Sequence, residues 1–217
     1  MNIRHRIMPF TRGAALALTL AGASTGAFAQ TTTPGDLARL MTPDWCEAAV
    51  SGRLRADQDK DQAIRAKLYG LEKSGCQGYQ RYCSALITSG RALLLEGETP
   101  ETQRTQLMAA ASDYSYVLTK SRNECSLVPD IYTRLGEIQT RLGQFKEGEE
   151  SFAKAIKIKG GHAPAFVGLS DLYENQGNID KAIAVLQAGL KTNPTSTMLK
   201  KKLQRVQARK PGPAAAP

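Results

Sequence analysis

Histidine, aromatic residues and known catalytic motifs are scarce in this sequence. Two of its 217 residues are histidines, and 6% are aromatic. After residue 29, where we expect the mature chain to begin, there is no Gly-x-Ser-x-Gly, no His-Glu-x-x-His and no glycine-rich phosphate loop, and His162 is the only histidine. One histidine cannot build a multi-histidine metal centre, and it has no partners for a triad. We therefore predict no enzymatic activity, no metal and no cofactor.

The first 29 residues have the layout of a secretory signal peptide. Three arginines form a basic start, an apolar stretch covers residues 13–23, and a small-x-small sequence precedes Gln30. The apolar stretch is shorter than the ~20 residues that a membrane span needs. We expect cleavage after Ala29 and export to the bacterial periplasm; the alternative is an uncleaved amino-terminal anchor. An exported protein has little access to nucleic acid, so we expect no nucleic-acid partner and only indirect contact with a membrane.

Two neighbouring segments, 129–162 and 163–196, align without a gap at a constant offset of 34 residues. Repeats of this length occur in arrays of helix hairpins, each of which buries its apolar face against the next. Alanine and leucine are plentiful, and apolar residues recur at helical spacing, which also favours helices. The aligned pairs are Tyr132 with Phe166, Leu135 with Leu169, Gly143 with Gly177, Phe152 with Leu186, and Ala155 with Gly189.

This 34-residue period, with its pattern of aromatic and small residues, resembles the tetratricopeptide repeat. The first unit departs from the family pattern at Gln139 and Gly160, and the second departs at Ser170. The resemblance implies an all-α fold, a right-handed α-solenoid of antiparallel helix hairpins with a carboxyl-terminal capping helix. We divide the chain into a signal peptide (1–29), a linker or short helix (30–42), two divergent hairpins with disulfides (43–128), two repeats (129–162 and 163–196), a capping helix (197–209) and a disordered tail (210–217).

The repeat pattern also indicates how the helices meet. Small residues at Gly136 and Ser170 allow two helices to approach closely, and Phe152 fills the space between them. Gly143 and Gly177 follow the first helix of each repeat, where a residue with positive φ is often needed. We assign these positions to the core and the turns, and we give none of them a chemical role.

Four cysteines follow the signal peptide, and an even number in an exported protein favours two disulfides. No Cys-x-x-Cys motif occurs, so a redox role is the less favoured alternative. Cys46 and Cys83 begin the two divergent hairpins, each after an aromatic residue, whereas Cys76 and Cys125 follow their second helices. Because the start of one helix lies beside the end of its antiparallel partner, we predict the bonds Cys46–Cys76 and Cys83–Cys125 among three possible pairings.

Arrays of the family that the sequence resembles bind segments of other proteins in a concave groove, which is lined mainly by the first helix of each repeat. On this resemblance the groove carries four carboxylates, and we expect it to prefer a basic or amphipathic segment. Alternatively, the acids only keep the groove hydrated. The implied groove residues are Asp130, Thr133, Glu137, Thr140, Pro164, Val167, Asp171 and Glu174.

The resemblance implies a non-enzymatic scaffold or adaptor that binds a partner protein. Together with the signal-peptide layout, it leads us to expect a periplasmic accessory subunit of an envelope complex. The alternative is an envelope enzyme or a thiol-redox accessory factor whose site the sequence does not reveal. The capping helix is basic, and its charges either form a solvated face or attract an anionic partner. These basic residues are Lys200, Lys201, Lys202 and Arg205.

Overall fold

The computed structural model describes residues 42–51, 58–94, 99–122 and 124–210. The predicted signal peptide, most of the linker and the tail beyond residue 210 lie outside these ranges, so the structure does not test them. Within the ranges the chain forms nine α-helices and no strand, which confirms the all-α solenoid class. None of these helices combines the length and hydrophobicity needed to span a bilayer. The helices are α1 (Asp44–Ser51), α2 (Gln58–Lys73), α3 (Tyr79–Leu94), α4 (Pro100–Lys120), α5 (Val128–Arg141), α6 (Phe145–Ile158), α7 (Ala163–Asn175), α8 (Ile179–Thr192) and α9 (Thr197–Arg209).

Consecutive helices pack in pairs, and the pairs stack on one another. α3 packs against α4, α5 against α6, and α7 against α8. First helices of neighbouring pairs also meet, because α1 contacts α3 and α5 contacts α7. α9 packs against both α7 and α8. An array of this kind needs a terminal helix with a polar outer face, and α9 lies where the sequence predicts that helix.

Glycines with positive φ end the first helix of each of the last two pairs. Gly143 has a φ of 78° and Gly177 a φ of 74°, a conformation that glycine adopts without steric cost. Immediately after Gly143, the N–H of Gln144 donates to the carbonyl of Gln139 at 2.8 Å. The residue after Gly177 makes the equivalent hydrogen bond. These hydrogen bonds form Schellman motifs, and they confirm the expected positive φ at both glycines.

Phe152 in α6 is fully buried between α5 and α7. Its ring leaves no room for side chains on either neighbour. A Cβ atom at Gly136 in α5 would lie 2.8 Å from the ring, and one at Gly168 in α7 would lie 2.4 Å from it. The sequence pattern indicates the contact at Gly136 but not the one at Gly168, whose counterpart in the first repeat is Arg134. Two glycines on different hairpins therefore hold one aromatic ring.

The predicted disulfide pairing, Cys46–Cys76 and Cys83–Cys125, is wrong. The structure instead has Cys46–Cys83, with Cα atoms 5.2 Å apart, and Cys76–Cys125, with Cα atoms 4.7 Å apart. The predicted bonds would each have closed one hairpin on itself. The observed bonds join equivalent positions of successive hairpins, so they link the two divergent hairpins to each other twice.

Stacking of the hairpins explains this pairing. α1 lies against α3, and the Trp45 ring stacks on the Tyr82 ring with centroids 5.9 Å apart. After α2 and α4, the N–H of Arg122 donates to the carbonyl of Gly75 at 3.0 Å, which brings the two segments together. The matching aromatic-cysteine pairs are a sequence signal for this arrangement, because equivalent positions of stacked hairpins are neighbours.

Candidate functional site

A cleft of about 760 Å³ opens beside α3, α5 and α7, the first helices of three successive pairs. Residues of α4 and α6 complete its lining, which combines apolar side chains with polar and charged ones. The lining residues are Leu86, Ser89, Gly90, Leu107, Arg134, Glu137, Ile138, Thr140, Arg141, Phe145, Phe152, Gly168, Asp171 and Asn175.

Side chains join α3 to α5 near their amino-terminal ends, and the cleft lies further along both helices. The Tyr82 hydroxyl in α3 donates to Asp130 Oδ2 in α5 at 2.6 Å, and the Tyr82 ring meets the Tyr114 ring edge-on. Ser89 and Gly90, further along α3, have little side-chain volume and line the cleft. The cleft is therefore found where α3 offers small side chains.

Arg134 in α5 engages two of the four predicted groove carboxylates. Its Nη1 donates to Glu137 Oε2 at 3.3 Å, and its Nε lies 3.7 Å from Asp130 Oδ2. Burial raises the pKa of Glu137, an effect that the charge of Arg134 opposes. Burial alone would lower the pKa of Arg134, but Glu137 and Asp130 raise it overall, so the guanidinium stays charged. Both carboxylates therefore share one cation of their own helix, Arg134.

Lys202 in α9 engages the other two carboxylates. It is only 7% exposed, and its Nζ lies 2.5 Å from Asp171 Oδ1 and also pairs with Glu174. Arg209 Nη1 reaches Glu174 Oε2 at 3.1 Å. The acids of α7 thus hold the capping helix in place.

These contacts correct the interpretation of the basic capping helix. Lys202 is neither part of a solvated face nor free to attract an anionic partner. The other three basic residues of the predicted face are exposed: Lys200, Lys201 and Arg205.

The predicted groove residues are only partly brought together. Glu137, Thr140 and Asp171 line the cleft. Thr133 is buried, and its hydroxyl donates to the carbonyl of Pro129 in the same helix at 2.9 Å. The predicted residues outside the cleft lining are Asp130, Thr133, Pro164, Val167 and Glu174.

Several lining residues come from positions that the repeat pattern did not indicate. Leu86, Ser89 and Gly90 belong to a divergent hairpin, where the 34-residue register is lost. Arg141 and Asn175 lie 34 residues apart, in the last turns of α5 and α7, one position after the last groove residue predicted in each repeat. Because Arg141 and Asn175 occupy equivalent positions of the two repeats, a groove that follows the repeat would include both. The sequence could therefore have indicated them.

Replacing Lys202 with alanine is expected to lower the free energy of unfolding by about 2 kcal/mol. The change removes the buried partner of Glu174, whose side chain is 9% exposed. Arg209 still reaches Glu174, and Asp171 remains in contact with water, which limits the loss. Urea unfolding followed by far-ultraviolet circular dichroism measures it. Lys201→Ala, an exposed change on the same helix, is the control and should stay within about 0.5 kcal/mol; equal effects of the two variants would contradict the role of the ion pairs.

Comparison with known proteins finds a family model that matches part of the chain. Residues 139–206 match the family model described as tetratricopeptide repeat. No curated protein sequence matches the chain. Among the described residues, no three histidine, cysteine, aspartate or glutamate side chains are placed to hold a metal ion.

Proposed function

We propose that this chain, whose residues 139–206 match the tetratricopeptide-repeat model, holds a segment of a partner protein in the cleft beside α3, α5 and α7. Tetratricopeptide repeats mediate interactions between proteins. The proposed role is that of an adaptor, an accessory subunit of a complex in the cell envelope.

The composition of the cleft carries this proposal. Leu86, Leu107 and Ile138 give it an apolar interior, while Thr140 and Asn175 offer polar groups. Pockets that bury apolar anchors inside a polar rim supply most of the affinity of protein interfaces. A volume of about 760 Å³ accommodates several side chains of a bound segment.

The buried disulfides support a place of action outside the cytosol. Cys46 and Cys83 are 0% exposed, and Cys76 and Cys125 are nearly as well buried. Structural disulfides of this kind form and persist in oxidising compartments, which agrees with the signal-peptide layout of the first 29 residues. We propose that the protein is exported and acts in the bacterial periplasm.

A thiol-redox function is the weaker candidate. None of the cysteines is free, and reactive cysteines are accessible to solvent. An acid–base enzyme is weaker as well, because Glu137, the lining carboxylate with a raised pKa, is engaged by Arg134. Tetratricopeptide repeats generally act without catalysis.

The Asn175→Trp substitution tests the proposed site. Asn175 is an exposed lining residue in the last turn of α7, and an indole there would occupy part of the cleft. Affinity capture from envelope fractions, followed by mass spectrometry, should recover a partner with the wild type and at least about tenfold less of it with the variant. Gln187→Trp, an equally exposed change on α8, is the matched control.

Capture of the same partner by both tryptophan variants would reject the cleft as the binding site. The same fractionation reports on export. The protein is expected in the periplasmic fraction with Gln30 as its first residue, and recovery of the uncleaved chain from the cytosol would contradict that part of the proposal.

A further inference from the structure

We infer that the segment held in the cleft carries an acidic residue, and that Arg141 is the residue that selects it. This inference rests on the proposed function. It reverses the preference for a basic segment that the sequence indicates, because the structure shows which charges of the cleft are already paired.

Four of the described residues that line the cleft are charged, and three of them are engaged within the chain. Arg134 and Glu137 pair with each other, and Asp171 pairs with Lys202 of the capping helix. Each carboxylate of the cleft already has a cation of the chain beside it, so a lysine or arginine of a partner would gain less there than at an unpaired carboxylate. Asp171 keeps a side-chain exposure of 52%, but its charge is already matched by the buried Lys202.

Arg141 is different, because its charge has no partner in the described part of the chain. It is exposed, it lines the cleft, and no ion pair or hydrogen bond to any described residue holds its side chain. A basic residue in the last turn of a helix often bonds to the free carbonyls there. In α5 the carbonyls of Ile138, Gln139 and Thr140 already accept from the N–H groups of the turn that follows. The donors of Arg141 are therefore available to a ligand.

A guanidinium group in this position favours a carboxylate. Its planar fork binds both oxygens at once, and the pair gains strength where the adjoining surface excludes water. The apolar side chains of Phe145 and Ile138 line the same cleft. A lysine or arginine of the partner at the same point would be repelled by the positive charge of Arg141. The matching ligand is a segment with apolar side chains for the interior of the cleft and an aspartate or glutamate for Arg141.

A random peptide library displayed on phage tests this selection with a defined probe. The library is panned on the purified, oxidised protein, with the Asn175→Trp variant as counter-selection to keep only peptides that need the cleft. The panning is repeated on Arg141→Glu and on Lys191→Glu, an exposed charge reversal on α8 outside the cleft. Circular dichroism confirms folding, and Arg141→Gln replaces the reversal if that variant does not fold.

We expect the wild type and Lys191→Glu to enrich apolar peptides with aspartate or glutamate, and Arg141→Glu to enrich lysine or arginine instead. A selected acidic peptide should bind Arg141→Gln about fivefold more weakly than the wild type. Enrichment of basic or uncharged peptides by the wild type, or the same preference in Arg141→Glu, would overturn the inference while leaving the cleft as a binding site. If no selected peptide distinguishes the wild type from Asn175→Trp, the proposed function fails with it.

Discussion

The Cys46→Ser/Cys83→Ser variant is expected to lose about 4 kcal/mol of unfolding free energy. The bond joins residues 37 positions apart in the sequence, so it removes much conformational freedom from the unfolded chain. The Trp45–Tyr82 contact and the Cys76–Cys125 bond remain in the variant, but the second helix of the first hairpin adds little buried surface in its described part. Among the α2 residues whose side chains are described, from residue 62 onwards, Leu71 is the only buried one. Guanidinium unfolding of the oxidised wild type and of the variant measures the difference.

Reduction of the wild type provides the matched control for this experiment. With a thiol reductant present, the wild type should lose at least as much stability as the double variant, because both of its bonds are then open. The variant should lose only the contribution of Cys76–Cys125, which closes 49 positions. Equal stability of the oxidised wild type and the double variant would contradict a stabilising role for Cys46–Cys83.

Trypsin separates all four cysteines into different peptides, so the pairing itself can be read directly. Digestion without reductant should link residues 40–53 to residues 82–91, and residues 74–81 to residues 123–134. A link between residues 40–53 and 74–81 would instead indicate a bond within the first hairpin, the pairing that the sequence alone favoured.

The Phe152→Ala variant is expected to lose about 4 kcal/mol, because it leaves a cavity where a fully buried ring joins three helices. Gly168→Ala should cost about 2 kcal/mol for the opposite reason, since the new methyl group would lie 2.4 Å from the ring and force it to move. Combined in one chain, the two changes should cost clearly less than the sum of the separate losses, because alanine at 168 no longer meets a ring. Chemical unfolding of the four proteins completes this double-mutant cycle.

Gly70→Ala is the control for the glycine change. Gly70 lies inside α2 with nothing within 4 Å of an added Cβ atom, so alanine there should leave stability unchanged or raise it by up to about 1 kcal/mol. If the double variant lost the simple sum of the unfolding free energies lost by Phe152→Ala and Gly168→Ala, the two positions would not share a contact.

The helix ends of the two 34-residue repeats could be predicted from the sequence because their signals are local. Gly143 and Gly177 mark the ends of two first helices, and the required positive φ is a property of the residue itself. The 34-residue offset then placed the four helices of the repeats. In the divergent hairpins no such register exists, so the contribution of Leu86, Ser89 and Gly90 to the cleft could not be predicted.

The candidate site was predicted less well for a related reason. The family pattern predicted Glu137, Thr140 and Asp171 as groove residues, and these three line the cleft, since their positions follow from the helix register. It said nothing about which carboxylates are already paired. Lys202 is 31 positions from Asp171 in the sequence, and only the docking of α9 on α7 brings the two together.

The sequence by itself determined the helices, their ends and the hairpin repeat, because hydrophobic periodicity and turn residues act over a few positions. The tertiary structure alone decided which residues make contact between hairpins. Cys46 bonds to Cys83, Phe152 packs between two glycines, and Lys202 pairs with the acids of α7. Such contacts depend on how one hairpin is placed on the next, and that placement is set by packing along the whole interface. For this reason Arg141, an ordinary helix-terminal residue in the sequence, lines the cleft with a charge that no described residue pairs.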